Sequence, residues 1–382
     1  MTVSALIDLI PPGVFADLAA ETSVDHQVKK LNGALMFKLI LFSMLNSEKL
    51  SLRVMETFLQ SATFKSFANV EELDSKYNSI RDRISTINYR YFEELYAEVF
   101  KIYNKELKEE DCLSKADSTY VGLASKLFMQ GMKNGDKDKR FIKYSVTIKG
   151  CLPCSVKIFT AQAYVSEDLA LGELINEDKT LVNNVVVYDR GLQSRKEFDN
   201  ITENNKWFVT RGRLATRCKI VAEQFVPEKP TGSTVTITKD ITGYLINKKE
   251  QKTANLYRVI EARIDQTNEP ICFVTNILKE DVYQVASWYK QRWEIELFFK
   301  FIKQHLNVKH LVSRNENGIK VMIFMTMILA ILLIAFRKLN NIKSFKIAKL
   351  RFEIELENEI MQAIVILCGG DPGKAAHLWN KT

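Results

Sequence analysis

The amino-acid sequence predicts an α/β fold, a mixed sheet preceded and followed by helical segments. Three observations carry this. Residues 1 to about 110 repeat apolar side chains at helical spacing. Beyond Glu110 the pattern changes to three alternating, antiparallel-type strands and then to helix and strand in turn. After Asn276 the chain becomes helical again and stays so.

Element by element, Leu31 to Leu45 predicts one helix, Ser47 to Leu50 break it, and Leu52 to Phe64 predicts a second. A third runs through Ser79, Ile80, Ile84 and Ile87, and a long one spans Tyr91 to Leu107. Two short helices around a turn, then a helix bearing Arg81, Arg83 and Arg90, match a helix-turn-helix DNA reader. A helical bundle with solvated charges fits nearly as well. Ala116 to Leu123 predicts a strand, and Arg140 to Lys149 and Ser155 to Ala163 alternate as a pair. Gly150-Cys151-Leu152-Pro153-Cys154 reads as their hairpin turn. A CxxC pair is also a metal signal, but zinc needs two more ligands and the chain has only 4 histidines. Next come a helix (Leu169 to Asn176), an apolar strand (Asn184 to Tyr188), a helix opened by Ser194 with Glu197 at capping-box spacing, and a strand from Lys206 to Thr210. Strands and turns dominate from Arg211 to Asn276: Thr234 to Thr238, Gly243 to Asn247, Leu256 to Ile264 and Ile271 to Thr275.

With 382 residues, 46% hydrophobic and 26% charged, the chain can bury a large core and is not of disordered composition. Its 54 basic and 46 acidic residues give +8, compatible with nucleic acid but no proof of it. Six scattered cysteines form no disulfide framework, and Met1 to Phe15 lacks a secretory signal, so a reducing cytoplasm is expected. Val321 to Phe336 carries no charge. It is shorter than the ~20 residues of a membrane span and is read as a buried core helix.

The chemistry centres on Tyr289, Arg292, Glu296 and Lys303. On one continuous helix they fall on a narrow stripe, with Ile295, Leu297, Phe298, Phe301 and Ile302 turned to a core. One carboxylate flanked by cations and a phenol suits metal-assisted chemistry on a phosphate; the i,i+4 spacing of Arg292 and Glu296 equally suits a helical salt bridge. Asp117 lies within a predicted strand, where it either meets a partner or metal or points to solvent. Asp189 ends the apolar run Val185-Val186-Val187-Tyr188 and precedes Arg190-Gly191, the edge at which open α/β sheets take their ligands; a turn-forming Asp is the plainer reading. Together Asp117, Asp189 and Glu296 can hold two divalent cations, and their hard oxygens favour Mg²⁺ or Mn²⁺. Arg292, Lys303 and Tyr289 are candidate phosphate contacts, as are Arg211 and Arg213 at a strand exit. The basic stretch from Arg337 to Arg351 either clamps DNA or is a solvated helix face. Trp288 and Trp293 either stack on an unpaired base or, the commoner case, pack in the core.

Tyr-x2-Arg-x3-Glu-x6-Lys, here Tyr289, Arg292, Glu296 and Lys303, resembles the signature of bacterial insertion-sequence transposases with a DDE catalytic core, of the IS4 type. The chain is similar to that group also at Ala116-Asp117-Ser118-Thr119, Tyr188-Asp189-Arg190-Gly191 and Phe273-Val274-Thr275-Asn276. The resemblance covers roughly residues 110 to 335. It implies a ribonuclease-H-like catalytic core with a β-rich insertion, preceded by an α-helical DNA-binding domain and followed by C-terminal helices. The corresponding boundaries are 1–110 for the DNA-binding domain, 111–210 and 277–336 for the core, 211–276 for the insertion, and 337–382 for a C-terminal helical region. It further implies catalysis and metal binding by Asp117, Asp189 and Glu296 with two Mg²⁺ ions, for which Mn²⁺ can substitute. The expected partners are double-stranded DNA, as terminal inverted repeats and target, and a second copy in a paired-end complex, with no membrane. The expected location is the bacterial cytoplasm, at the nucleoid. A nuclease that does not join strands, and a DNA-binding protein that has lost catalysis, are the alternatives.

Overall fold

A computed structural model describes residues 1–108, 113–123, 131–133, 140–214, 216–306 and 312–374. Cys112 and the end of the predicted C-terminal region, 375–382, lie outside the described residues. The rest packs as two units, one of residues 1–108 with 300–374 and one of residues 113–122 with 131–299.

The first unit is helical: α1 (Val3–Ile7), α2 (Pro12–Thr22), α3 (Gly33–Leu45), α4 (Leu52–Gln60), α5 (Ala62–Ala68), α6 (Tyr77–Thr86) and α7 (Tyr89–Glu106). The expected helix from Leu52 to Phe64 is two helices. Ser61 takes an extended backbone, and its hydroxyl accepts from the Phe64 N–H at 3.1 Å and donates to the Phe58 carbonyl at 2.7 Å. A serine that bonds backbone on both sides ends one helix and caps the next. Arg83, a candidate DNA reader, is turned inward: its guanidinium donates to the Leu31 and Val24 carbonyls at 2.7 and 2.8 Å and pairs with Asp25 at 3.3 Å. Among the predicted basic residues of this helix, Arg83 therefore holds the loop before α3 and is not offered to a groove.

The same unit contains α12 (Glu316–Leu339) and α13 (Phe345–Leu367). By length and composition α12 can cross a membrane, yet 94% of its apolar window is buried inside the fold. Its side chains are apolar all round because protein surrounds it, as a core helix requires. Part of the basic stretch that follows is engaged locally: the Arg337 guanidinium sits 4.0 Å from the Phe345 ring centroid and Lys349 pairs with Glu353 at 3.2 Å.

The second unit is built on one nine-stranded sheet in the order β3-β2-β1-β4-β5-β9-β8-β7-β6. The strands are β1 (Leu113–Leu123), β2 (Arg140–Lys149), β3 (Leu152–Phe159), β4 (Val185–Tyr188), β5 (Trp207–Arg211), β6 (Cys218–Glu223), β7 (Val235–Leu245), β8 (Tyr257–Ile264) and β9 (Pro270–Thr275). The helices are α8 (Glu167–Glu177), α9 (Arg195–Glu203), α10 (Val282–Lys290) and the start of α11 (Trp293–His305). β4 pairs in parallel with β1 and β5, while β2 with β3 and β5 with β9 run antiparallel. Gly150 turns the β2–β3 hairpin at φ 57°, and neither cysteine of the CxxC pair is in a disulfide among the described residues.

The run Val185 to Tyr188 lacks alternation because β4 is covered on both faces. Val186 and Tyr188 pack with Phe208, Leu174 and Phe198; Val187 packs with Val209, Phe273 and Val285 of α10. Each large side chain so buried contributes about 1.5–3 kcal/mol. The expected strands Thr234 to Thr238 and Gly243 to Asn247 are instead one strand, β7, with a register shift between Ile237 and Lys239. The intervening Asp240 reads as a turn residue in sequence but is buried against Arg258, at 2.8 and 2.5 Å. Gly243 is no breaker: a Cβ there would lie 2.3 Å from the Lys219 carbonyl, so only glycine admits the β6 backbone. Strands β6 to β9 extend the sheet that begins with β1 to β5.

Candidate active site

Parallel pairing brings the first two acids together. Ala116 of β1 lies opposite Tyr188 of β4, so the next residues, Asp117 and Asp189, sit side by side at the carboxyl end of β4. The Asp189 backbone is tied from β5, whose Thr210 hydroxyl donates to its carbonyl at 2.9 Å. Below, Asn276 clasps β5 to the end of β9: its amide donates to the Lys206 carbonyl at 2.8 Å and its Oδ1 accepts from the Phe208 N–H at 2.9 Å. The segment Phe273 to Asn276 thus serves to align the strands.

Asp117 does not point to solvent. Burial pushes its carboxyl up to about 7; the Ser118 N–H at 2.7 Å opposes this, the charges of Asp189 and Glu167 add to it, and Arg292 opposes it again. One Asp189 oxygen accepts the Gly191 N–H at 2.7 Å, the turn role its position allows. Glu167, at the start of α8, was not foreseen. It pairs through Oε2 with the fully buried Lys143 at 2.6 Å, while its Oε1 is buried with no hydrogen-bond partner among the described residues. Gly191 permits this approach, since a Cβ there would meet the Glu167 Cγ at 2.7 Å and Asp189 Oδ1 at 2.8 Å. In sequence Glu167 looks like an ordinary acid in a helix's first turn, and only the glycine two residues after Asp189 hints at a tight neighbour.

The expected single helix through Tyr289 and Lys303 is broken. α10 ends at Lys290, Gln291 and Arg292 form a tight turn, and α11 begins at Trp293. The turn is closed by three-residue hydrogen bonds, Gln291 N–H to the Trp288 carbonyl and Arg292 N–H to that of Tyr289, both 3.1 Å. The stripe is therefore bent, and not every predicted core residue faces inward: Ile295, Phe298, Phe301 and Ile302 are buried, but Leu297 is exposed. Trp293 is 58% exposed, which corrects the core-packing reading for that residue, whereas Trp288 is half-buried against the core.

Glu296 meets Arg292 in an ion pair of 2.7 Å. Arg292 also acts electrostatically on Asp117 and Asp189, so one guanidinium is coupled to all three acids. Burial works against its charge, but the Glu296 hydrogen bond and the charges of Tyr289, Glu296 and Asp189 together outweigh this, and the Arg292 pKa is raised. Its Nε is buried without a hydrogen-bond partner among the described residues. Tyr289 packs on Phe273 with ring centroids 5.3 Å apart, and burial raises its phenol while Arg292 and Arg211 oppose that. In the first turn of α11 it is Glu294 that reaches β1, pairing at 3.3 Å with Lys115, a cation only 1% exposed. Arg213 is exposed and acts on Arg195 of α9. Lys303 is exposed in the last turn of α11 and belongs to the helical unit.

Among the described residues no three carboxylate, imidazole or thiol side chains converge closely enough to hold an ion in this arrangement. Glu296 is turned to Arg292. The remaining cluster still fits a hard divalent cation in its chemistry: oxygen donors only, a buried and proton-retaining Asp117, and a Glu167 oxygen lacking a partner.

Residues 111–333, more than half of the chain, match the family described as the transposase DDE domain. The putative transposase y4zB of Sinorhizobium fredii is 31% identical over 157 residues, 41% of this chain and 43% of that protein. The probable transposase for insertion sequence element IS5377 of Geobacillus stearothermophilus is 23% identical over 67% of this chain and 66% of its own length. The putative transposase for element IS4SA of Synechocystis sp. is 27% identical over 60% and 62%. The chain thus spans between 43% and 66% of the length of these relatives. A solved piggyBac transposase synaptic complex with hairpin DNA is alike in fold, with a TM-score of 0.50 and 10% identity over 95% of this chain and 82% of that one.

Proposed function

The chain belongs to the transposase DDE domain family, and from that premise we propose that it is an insertion-sequence DNA transposase. It binds the terminal inverted repeats of its element, cleaves the ends and joins them to target DNA. The observation that carries this reading is the register of β1 against β4, which sets Asp117 beside Asp189 at the carboxyl end of a buried parallel strand.

Asp117, Asp189 and Glu296 would hold two Mg²⁺ ions, or Mn²⁺ in their place. Bound there, such ions lower the pKa of an attacking water or 3′-hydroxyl and stabilise the leaving oxygen. The protein's own part is binding and orientation. Glu296 must leave Arg292 to join the acid pair, and the freed guanidinium fork, with its unpartnered Nε, is then available to a DNA phosphate. The Tyr289 phenol stays protonated and can donate to a phosphate oxygen. Lys303 acts as a point charge on the backbone, and Arg211 and Arg213 continue the phosphate contacts beyond β5. A homodimer holding two ends in a paired-end complex completes the proposal.

The test is a strand-transfer reaction with purified protein, Mg²⁺ and the inverted repeats that border the gene. Joined products support transposition. Cleaved ends that never join would leave a nuclease, and neither product would remove the enzymatic reading.

A further inference from the structure

A second concentration of charge lies in the sheet unit, of the opposite sign. A cleft of about 730 Å³ opens between the start of α9 and the turn at 246–251. Six cations line it: Arg195, Lys196, Arg213, Arg217, Lys248 and Lys249. The carboxylate in its wall, Asp168, is already occupied, its Oδ1 accepting from the Gln193 and Ser194 N–H groups at 2.5 and 2.7 Å. Glu250 at the rim pairs with Arg217.

Exposed lysines alone would mean only a solvated surface. Arg195 is different. It is half-buried over the Phe198 ring, 5.3 Å from the centroid, and its Nη1 is buried with no hydrogen-bond partner among the described residues. Burial lowers its pKa, and Arg213 adds like-charge repulsion. Next to the cleft, Lys219 similarly lowers Lys252. Desolvating a guanidinium beside another cation is unfavourable unless an anion completes the site.

The geometry also says where that anion belongs. Arg195 follows Asp189 by six residues, so their Cα atoms are at most about 20 Å apart, the rise of roughly six base pairs. Three guanidinium forks and three lysines along one cleft suit a run of phosphates better than one small anion. We propose that this cleft grips the DNA backbone within about six base pairs of the bond cut at the acid site. The proposal rests on the transposase reading and adds a set of backbone contacts to it.

The experiment measures binding of the inverted-repeat duplex by fluorescence anisotropy across a salt series, for wild type, Arg195→Gln and the double variant Lys248→Gln/Lys249→Gln. Neutralising contacted phosphates by cations sets the slope of log K against log salt, so it should fall by about 1 for the first variant and about 2 for the second. Methylphosphonate substitution of the phosphates up to six positions from the cut should remove the difference between wild type and variants. Unchanged slopes in the double variant, whose side chains are exposed, overturn the cleft while leaving end cleavage by wild type intact. Wild-type protein that binds no repeat duplex overturns the transposase reading and the cleft together.

Discussion

The acid site and the cation cleft sit in the same unit and carry the same kind of imbalance with opposite sign. At the first, Asp117, Asp189 and Glu167 share a partly buried space against one guanidinium. At the second, Arg195 and Arg213 line one cleft and repel each other, and the wall's carboxylate, Asp168, already accepts two backbone N–H groups. A third locus shows what completion looks like: Asp240 and Arg258 are buried at 0% and 5% side-chain exposure and bonded twice. The comparison teaches that charge inside this sheet is either paired within the chain or crowded, and crowding marks the places where a ligand finishes the structure.

The largest expected effect is at the acids. Asp189→Ala or Asp117→Asn should reduce end cleavage by well over the 10- to 100-fold typical of a residue one layer out from a metal, with duplex binding largely kept. Near-normal cleavage by either variant would remove that residue from the metal site. Breaking the completed pair should act on folding instead: Arg258→Ala strands Asp240 and should cost about 3–5 kcal/mol in urea unfolding. A loss below 1 kcal/mol would mean the pair is not the closed unit described. Glu167→Gln, which keeps shape and removes charge, should weaken Mn²⁺ binding in a titration without DNA by about 10- to 100-fold; unchanged affinity would make Glu167 a partner of Lys143 alone.

The smallest effect is a slope with pH. Asp117 titrates near 7 in the folded chain against an ordinary 3.8. Between those values the folded state holds more protons than the unfolded one, so stability without metal falls as pH rises through about 4 to 7. Divalent-ion affinity should move the other way, rising up to about 7 as the carboxylate forms. In Asp117→Asn the stability slope over that window should flatten, and an undiminished slope would assign it to other groups.

Particular residues explain how much could be read beforehand. Asp189 was legible as a candidate because it ends a buried apolar run before a glycine turn, and Asp117 because it lies within a predicted strand, though a turn and a solvent-facing acid were the plainer readings. Glu296 was legible as a residue, and its contact with Arg292 was one of the two uses their i,i+4 spacing offered. The bend at Gln291–Arg292 was invisible, since nothing in Lys290-Gln291-Arg292-Trp293 breaks a helix locally. Ser61 was misread for the opposite cause, a single hydroxyl deciding between one helix and two. β7 was read as two strands because the partner that buries Asp240, Arg258, lies 18 residues away in sequence. Glu167 and Arg195 were missed because their local settings, a helix's first turn in each case, are ordinary.

By itself, the chain's residue order determined the mixed α/β class of fold and the positions of the sheet's central strands, and it put forward three acids with the cations that follow them as candidates. Those depend on periodicity and on spacing along one element, which are local properties. That Asp117 lies beside Asp189, that Glu167 approaches them, and that Arg195 is half-buried near Arg213 depend on strand register and on approaches such as that at Gly191. These contacts join residues far apart in the chain, so only the packed tertiary structure could decide them.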